Sequence, residues 1–96
     1  MAAYVIGAVT VQDPSWLEEY GPAVHAIVEA NGGKYIVRDM EPKHLEGDGA
    51  VPSGIVILEF PTAEQARAFY DAPEYQPYKQ KRQAGSTGDL FLVAGL

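Results

Sequence analysis

The chain has 96 residues, 47% of them hydrophobic and 21% charged, with a formal net charge of -6 and a pI near 4.7. That length fits one globular domain over residues 1–96, and the acidity argues against a nucleic-acid partner, because neutralising phosphates needs a basic face. With no cysteine there is no disulfide framework, no thiolate metal site and no cysteine nucleophile; a reducing compartment is permitted, and a cytoplasmic location is the expectation.

The first segment, "MAAYVIGAVTV", is apolar and rich in small residues but lacks the basic start of an export signal. It reads as a strand, with Tyr4, Ile6, Ala8 and Thr10 on one face and Val5, Gly7, Val9 and Val11 on the other. Both faces are largely apolar, so both are expected to be covered. No stretch approaches the roughly 20 apolar residues of a membrane helix. Asp13 is placed to cap a helix with Pro14 in its first turn and Glu18 and Glu19 near its positive end. Leu17, Tyr20, Val24, Ile27 and Val28 form its apolar stripe, Gly21 and Pro22 predict a kink near Tyr20, and Asn31, Gly32 and Gly33 end it. "KYIVRDMEPKHLEG" reads as a second strand with an irregular tail at Pro42, "DGAVPSG" as a loop and "IVILEF" as a third strand.

Thr62 and Gln65 stand at capping-box spacing at the start of a second helix, whose stripe is Ala63, Ala66, Phe69 and Tyr70. It ends at residues 71–73. A further helical piece follows, with Pro77 in its first turn, since a deeper proline costs about 3 kcal/mol. Gly85 and Gly88 are expected to close it, and "DLFLVAGL" is the last strand. The order β-α-β-β-α-β is an α+β, ferredoxin-like sandwich: a four-stranded antiparallel sheet with its helices on one face. The other face stays apolar and exceeds what a monomer usually exposes, so a homodimer through that open face is expected.

Several segments together carry a family resemblance: "AYVI" at 3–6, "DPSWLEEY" at 13–20, "NGGKYIVR" at 31–38, "LEG" at 45–47, "VILEFPTAEQARAFYDAPEYQ" at 56–76, Arg82, and "LVAGL" at the end. In these the chain resembles the domain-of-unknown-function 1330 family of the dimeric α/β-barrel superfamily. Asp39 and Met40 depart from it, standing where the resemblance suggests two glycines. The resemblance implies the fold and a dimer with sheets face to face; it implies no particular reaction.

Glu59 shares a strand face with Ile55 and Ile57, where a bare carboxylate is costly to bury, so a partner is expected at Arg38 or Arg82. Trp16 and Tyr20, four apart, are read as packing that can also wall a pocket. Arg82, seven after Tyr75 and four after Tyr78, is the basic residue expected to have a specific job, while Lys79 and Lys81 read as a solvated face. His25 reads as a satisfied helix histidine without a second ligand at metal spacing, and His44 as a loop residue, so no metal or other cofactor is expected. The ligand-site candidates are Tyr20, Arg38, Glu59, Tyr70, Tyr75 and Arg82. Two functions fit: binding of a small molecule between sheet and helices, or a cofactor-free enzyme of monooxygenase or isomerase type using Glu59, a tyrosine and an arginine. The tyrosine-rich corner from Phe69 to Arg82 is read as architectural first, with its polar tips available to a ligand.

Overall fold

The computed structural model describes all of residues 1–96. Strand β1 (Ala3–Val11) leads through a single 3-10 turn (Pro14–Trp16) into helix α1 (Leu17–Ala30); strands β2 (Lys34–Asp39) and β3 (Gly54–Phe60) follow, then helices α2 (Ala63–Asp71) and α3 (Gln76–Gly85), and strand β4 (Ser86–Ala94). The four strands form one sheet in the order β2-β3-β1-β4, every pair antiparallel. This is the ferredoxin-like arrangement, with its second helix divided in two. No helix is long and apolar enough to cross a membrane.

The local signals act largely where the sequence puts them. The Thr62 hydroxyl accepts from the Gln65 N–H at 3.1 Å and so caps α2. Pro77 lies in the first turn of α3, where its missing N–H leaves no hydrogen bond unmade. Asp13 caps the 3-10 turn rather than α1 itself, accepting from the Ser15 N–H at 3.0 Å. Helix α1 then runs continuously through Gly21 and Pro22, neither of which ends it. The burial of Val24 and Val28 against the sheet holds the helix through a residue that propensity alone would have made a break. Gly88 does not close α3: that helix ends at Gly85, and Gly88 lies inside β4, which begins three residues earlier than the sequence suggests. A φ of +150° and a Cβ position that would meet the Ala8 backbone explain why glycine stands there.

Register divides the side chains between the two faces. Val5 lies opposite Leu58 and Leu92, and Ala3 opposite Phe60, on the side the helices cover. The core there comprises Val5, Val24, Val28, Leu58, Phe60, Ala66, Phe69, Ala72 and Tyr75. On the other side Ile6 lies opposite Ile57 and Phe91, Tyr4 opposite Glu59 and Val93, and Ala8 opposite Ile55. Nothing in the chain covers that face, and Phe91 is 57% exposed.

Candidate functional site

Between the helices and the sheet lies a cavity of about 290 Å³ whose 19 lining residues include 14 hydrophobic ones. Its floor is the covered face of the sheet: Val5, Gly7, Val9 and Val11 of β1, Val56 and Leu58 of β3 and Leu90 of β4. Its roof and walls are Trp16, Leu17, Tyr20, Gly21 and Val24 from the 3-10 turn and α1, Phe69 from α2, Tyr75 just before α3, and Arg82. Tyr35, Arg38 and Met40 complete the side toward β2. Alternation in β1 sets the floor, and Gly7 deepens it because no side chain rises from the middle of the strand.

The polar tips converge at one end. The Tyr20 and Tyr75 hydroxyls are 2.8 Å apart and hydrogen bonded, and Trp16 meets Tyr20 edge to face with ring centroids 5.0 Å apart. Tyr75, only 1% exposed, also packs on Phe69 at 4.6 Å and meets Tyr70 edge-on at 6.1 Å. Arg82 lies beside the two hydroxyls. Burial opposes its charge, but the Tyr75 and Tyr20 oxygens outweigh that cost and hold its pKa above the ordinary value. Burial raises the Tyr20 pKa far above the ordinary tyrosine value, with Tyr75 adding to it, so Tyr20 is a neutral hydroxyl. Tyr35 is also raised, by burial first, against the opposing pull of Arg38.

Arg82 is 7% exposed and its Nε has no hydrogen-bond partner; the buried Trp16 Nε1 has none either. No carboxylate pairs with Arg82, and none lines the cavity. Trp16 is seated against the C-terminal turn of α3, the turn that carries Arg82: a Cβ on Gly85 would collide with the indole.

Four of the six candidate residues meet here: Tyr20, Arg38, Tyr75 and Arg82. Arg38 sits at the edge, its guanidinium carbon 4.6 Å from the Tyr35 ring centroid. Tyr70 does not line the cavity; it supports Tyr75 from behind and carries Lys79 over its own ring at 4.3 Å. Glu59 lies on the opposite face of the sheet. Its partner is neither arginine but Lys34, at 3.4 Å, together with the Tyr4 hydroxyl, whose pKa is raised by a hydrogen bond to that carboxylate. Lys81 reaches Glu19 at 3.1 Å on the exposed side of the helices.

Tyr35 and Met40 are cavity residues that the sequence reading did not single out. The alternation of Tyr35 with Lys34 in β2 was the signal available for the first; Met40 lies past the end of the strand and left none. His25 does have a carboxylate four residues on: its Nε2 is 3.5 Å from Glu29, and its ring stacks on Tyr35 at 5.2 Å. One carboxylate does not extend this to a metal centre, since no three ligating side chains gather anywhere in the chain.

This architecture recurs in solved structures. A protein of unknown function from Rhodopseudomonas palustris, RPA0582, is 18% identical and superposes with a TM-score of 0.84 over 99% of this chain and 82% of its own. SnoaB, a cofactor-independent oxygenase from Streptomyces nogalater, is 16% identical with a TM-score of 0.71 over 99% of this chain and 93% of its own. An antibiotic biosynthesis monooxygenase is 15% identical with a TM-score of 0.55 over 100% and 99%. Likeness at that identity defines the fold, a ferredoxin-like α+β sandwich, and nothing finer. No curated protein matches the sequence. The family is defined separately: the chain belongs to the domain of unknown function family DUF1330, whose model matches residues 2–96.

Proposed function

We propose that this protein binds one small, largely apolar molecule in the cavity between the sheet and the helices. The observation that carries the reading is the cavity itself, lined by aromatic rings and aliphatic floor residues with a few polar tips gathered at one end. Binding sites of small molecules have that composition. The test is a fluorescence titration with the neutral apolar probe phenylnaphthylamine. Gly7→Val serves as the blocking variant, because a Cβ at Gly7 meets nothing closer than 3.6 Å and enters the cavity floor without a clash. Saturable binding that Gly7→Val weakens supports the reading. No saturable binding, or equal binding by the variant, overturns it.

The assembly belongs to the same proposal. Ile6, Ile57, Phe91 and Val93 share a face that no element of the chain covers, and a second copy related by two-fold symmetry covers it most simply. Sedimentation over a dilution series tests this, and a stable monomer at micromolar concentration overturns it.

A catalytic reading is supported by the likeness in fold to a cofactor-independent oxygenase and by the cluster of Tyr20, Tyr75 and Arg82. Glu59 is outside that cluster, and the cavity wall offers neither a carboxylate nor an imidazole as base. Tyrosine and arginine alone would orient and stabilise charge rather than remove a proton. Protein-dependent dioxygen uptake with a ligand that binds is the measurement in its favour; binding without uptake leaves the binding function alone.

A further inference from the structure

The polar end of the cavity has more hydrogen-bond donors than acceptors. Arg82 and Trp16 are donor-only side chains, and each has a buried N–H with no partner. The two tyrosine hydroxyls use one proton between them at 2.8 Å. The other hydroxyl proton has no acceptor among the chain's hydrogen bonds. Two donors, the Arg82 Nε–H and one tyrosine O–H, are therefore unused at a cation that no carboxylate balances, in a chain of net charge -6. Buried polar groups are ordinarily hydrogen bonded, and buried charges ordinarily have a counter-ion. A site that lacks both is complementary to an acceptor from outside.

We propose that the ligand is an anion: a small apolar, ring-bearing acid whose carboxylate, enolate or phenolate oxygen sits against Arg82 and the Tyr20–Tyr75 pair while its ring lies among Trp16, Phe69 and the β1 floor. This rests on the cavity being a binding site, and adds which chemical class enters it. The flat walls select a planar body. The acidity of the protein as a whole works against the approach of an anion, so the preference is set locally by Arg82, with Arg38 at the edge adding to it.

The test is calorimetric titration of the parent protein with naphthoate and with naphthamide, which share a ring system and differ in charge. A charge-assisted hydrogen bond is roughly twice as strong as a neutral one, so naphthoate binds about tenfold tighter or better. In Arg82→Met, which keeps the length of the stem and its apolar contacts, the preference falls to about unity. Its melting temperature falls by only a few degrees, because the variant loses hydrogen bonds to the tyrosine hydroxyls and keeps the apolar contacts of the stem. Equal binding of the two compounds by the parent protein overturns the inference and leaves the cavity reading standing. Failure of both to bind at millimolar concentration overturns both. A large drop in melting temperature in Arg82→Met, with naphthoate preference in the parent no greater than unity, identifies Arg82 as a structural cation and also overturns the inference.

Discussion

On the open face of the sheet Glu59 stands among isoleucines with Lys34 3.4 Å away and the Tyr4 hydroxyl beside it; on the helix face Arg82 stands among aromatic rings with no carboxylate in reach. Both are charges in apolar surroundings. The first is balanced by a neighbour that register delivers, since Lys34 lies directly opposite Glu59 across β2 and β3, and the pair keeps contact with solvent. The second is balanced within the chain only by two neutral hydroxyls. A charge matched by its strand neighbour is explained by the fold, whereas a charge that the fold leaves unmatched points to something the fold receives. The contrast separates two residues that the sequence reading offered to each other as partners.

The largest expected effect comes from the ring that joins the site to the core. Tyr75→Ala removes a side chain packed on Phe69, Tyr20 and Tyr70 and costs about 3 to 5 kcal/mol, a fall in Tm of roughly 15 °C or more for a domain of this size. Tyr75→Phe keeps the ring and costs about 1 kcal/mol, the net worth of one hydrogen bond. Thermal melts of the two variants check both figures. An alanine variant as stable as the parent would show that Tyr75 serves the ligand and not the core. On the other face, under the proposed pairing of two sheets, Ile57→Lys puts an ammonium into the centre of the contact and weakens association about a hundredfold, or roughly 3 kcal/mol. Sedimentation reads that shift directly, and an unchanged dimer would place the interface elsewhere.

A third expectation follows from Tyr20. Its folded pKa lies above its unfolded value of 10.0, so the folded state holds its proton after the unfolded chain has released it. The contribution is present below about pH 10 and lost progressively as pH rises beyond. Denaturant melts at rising alkaline pH should therefore show declining stability, with a shallower decline in Tyr20→Phe. The smallest effect is at Glu59: Glu59→Gln breaks a half-exposed pair with Lys34 and costs no more than about 1 kcal/mol in dilute monomer. A larger loss confined to concentrations where the protein self-associates would show that a second copy buries the pair.

Much of this was legible in the sequence, and the exceptions have a common physical origin. The strand alternation in β1, the Thr62 cap and the place of Pro77 are local properties, encoded within a few residues. The partner of Glu59 is not local. Alternation correctly put Glu59 on the face of Ile55 and Ile57, but only the register of β3 against β2 and β1 brings Lys34 and Tyr4 to it and turns that face away from Arg82. Spacing along the chain put Arg82 on a face with Tyr75, whereas Tyr20 meets them from another helix and Tyr35 reaches the cavity through the second strand. Helix α1 continues through Gly21 and Pro22 because packing of Val24 and Val28 outweighs one proline's missing hydrogen bond. The extra turn of strand at Ser86 escaped notice because its three residues pair only with the far end of β1.

Trp16 is the chain's single tryptophan, and it belongs to the cavity wall with its indole N–H buried and unpartnered. An indole in such surroundings emits toward the blue, without the solvent relaxation that shifts an exposed ring to the red. Whatever enters the cavity alters that emission by quenching it or by offering its N–H an acceptor. The protein thus carries an intrinsic optical reporter at the place where occupancy matters, and its colour can be followed without attaching a dye.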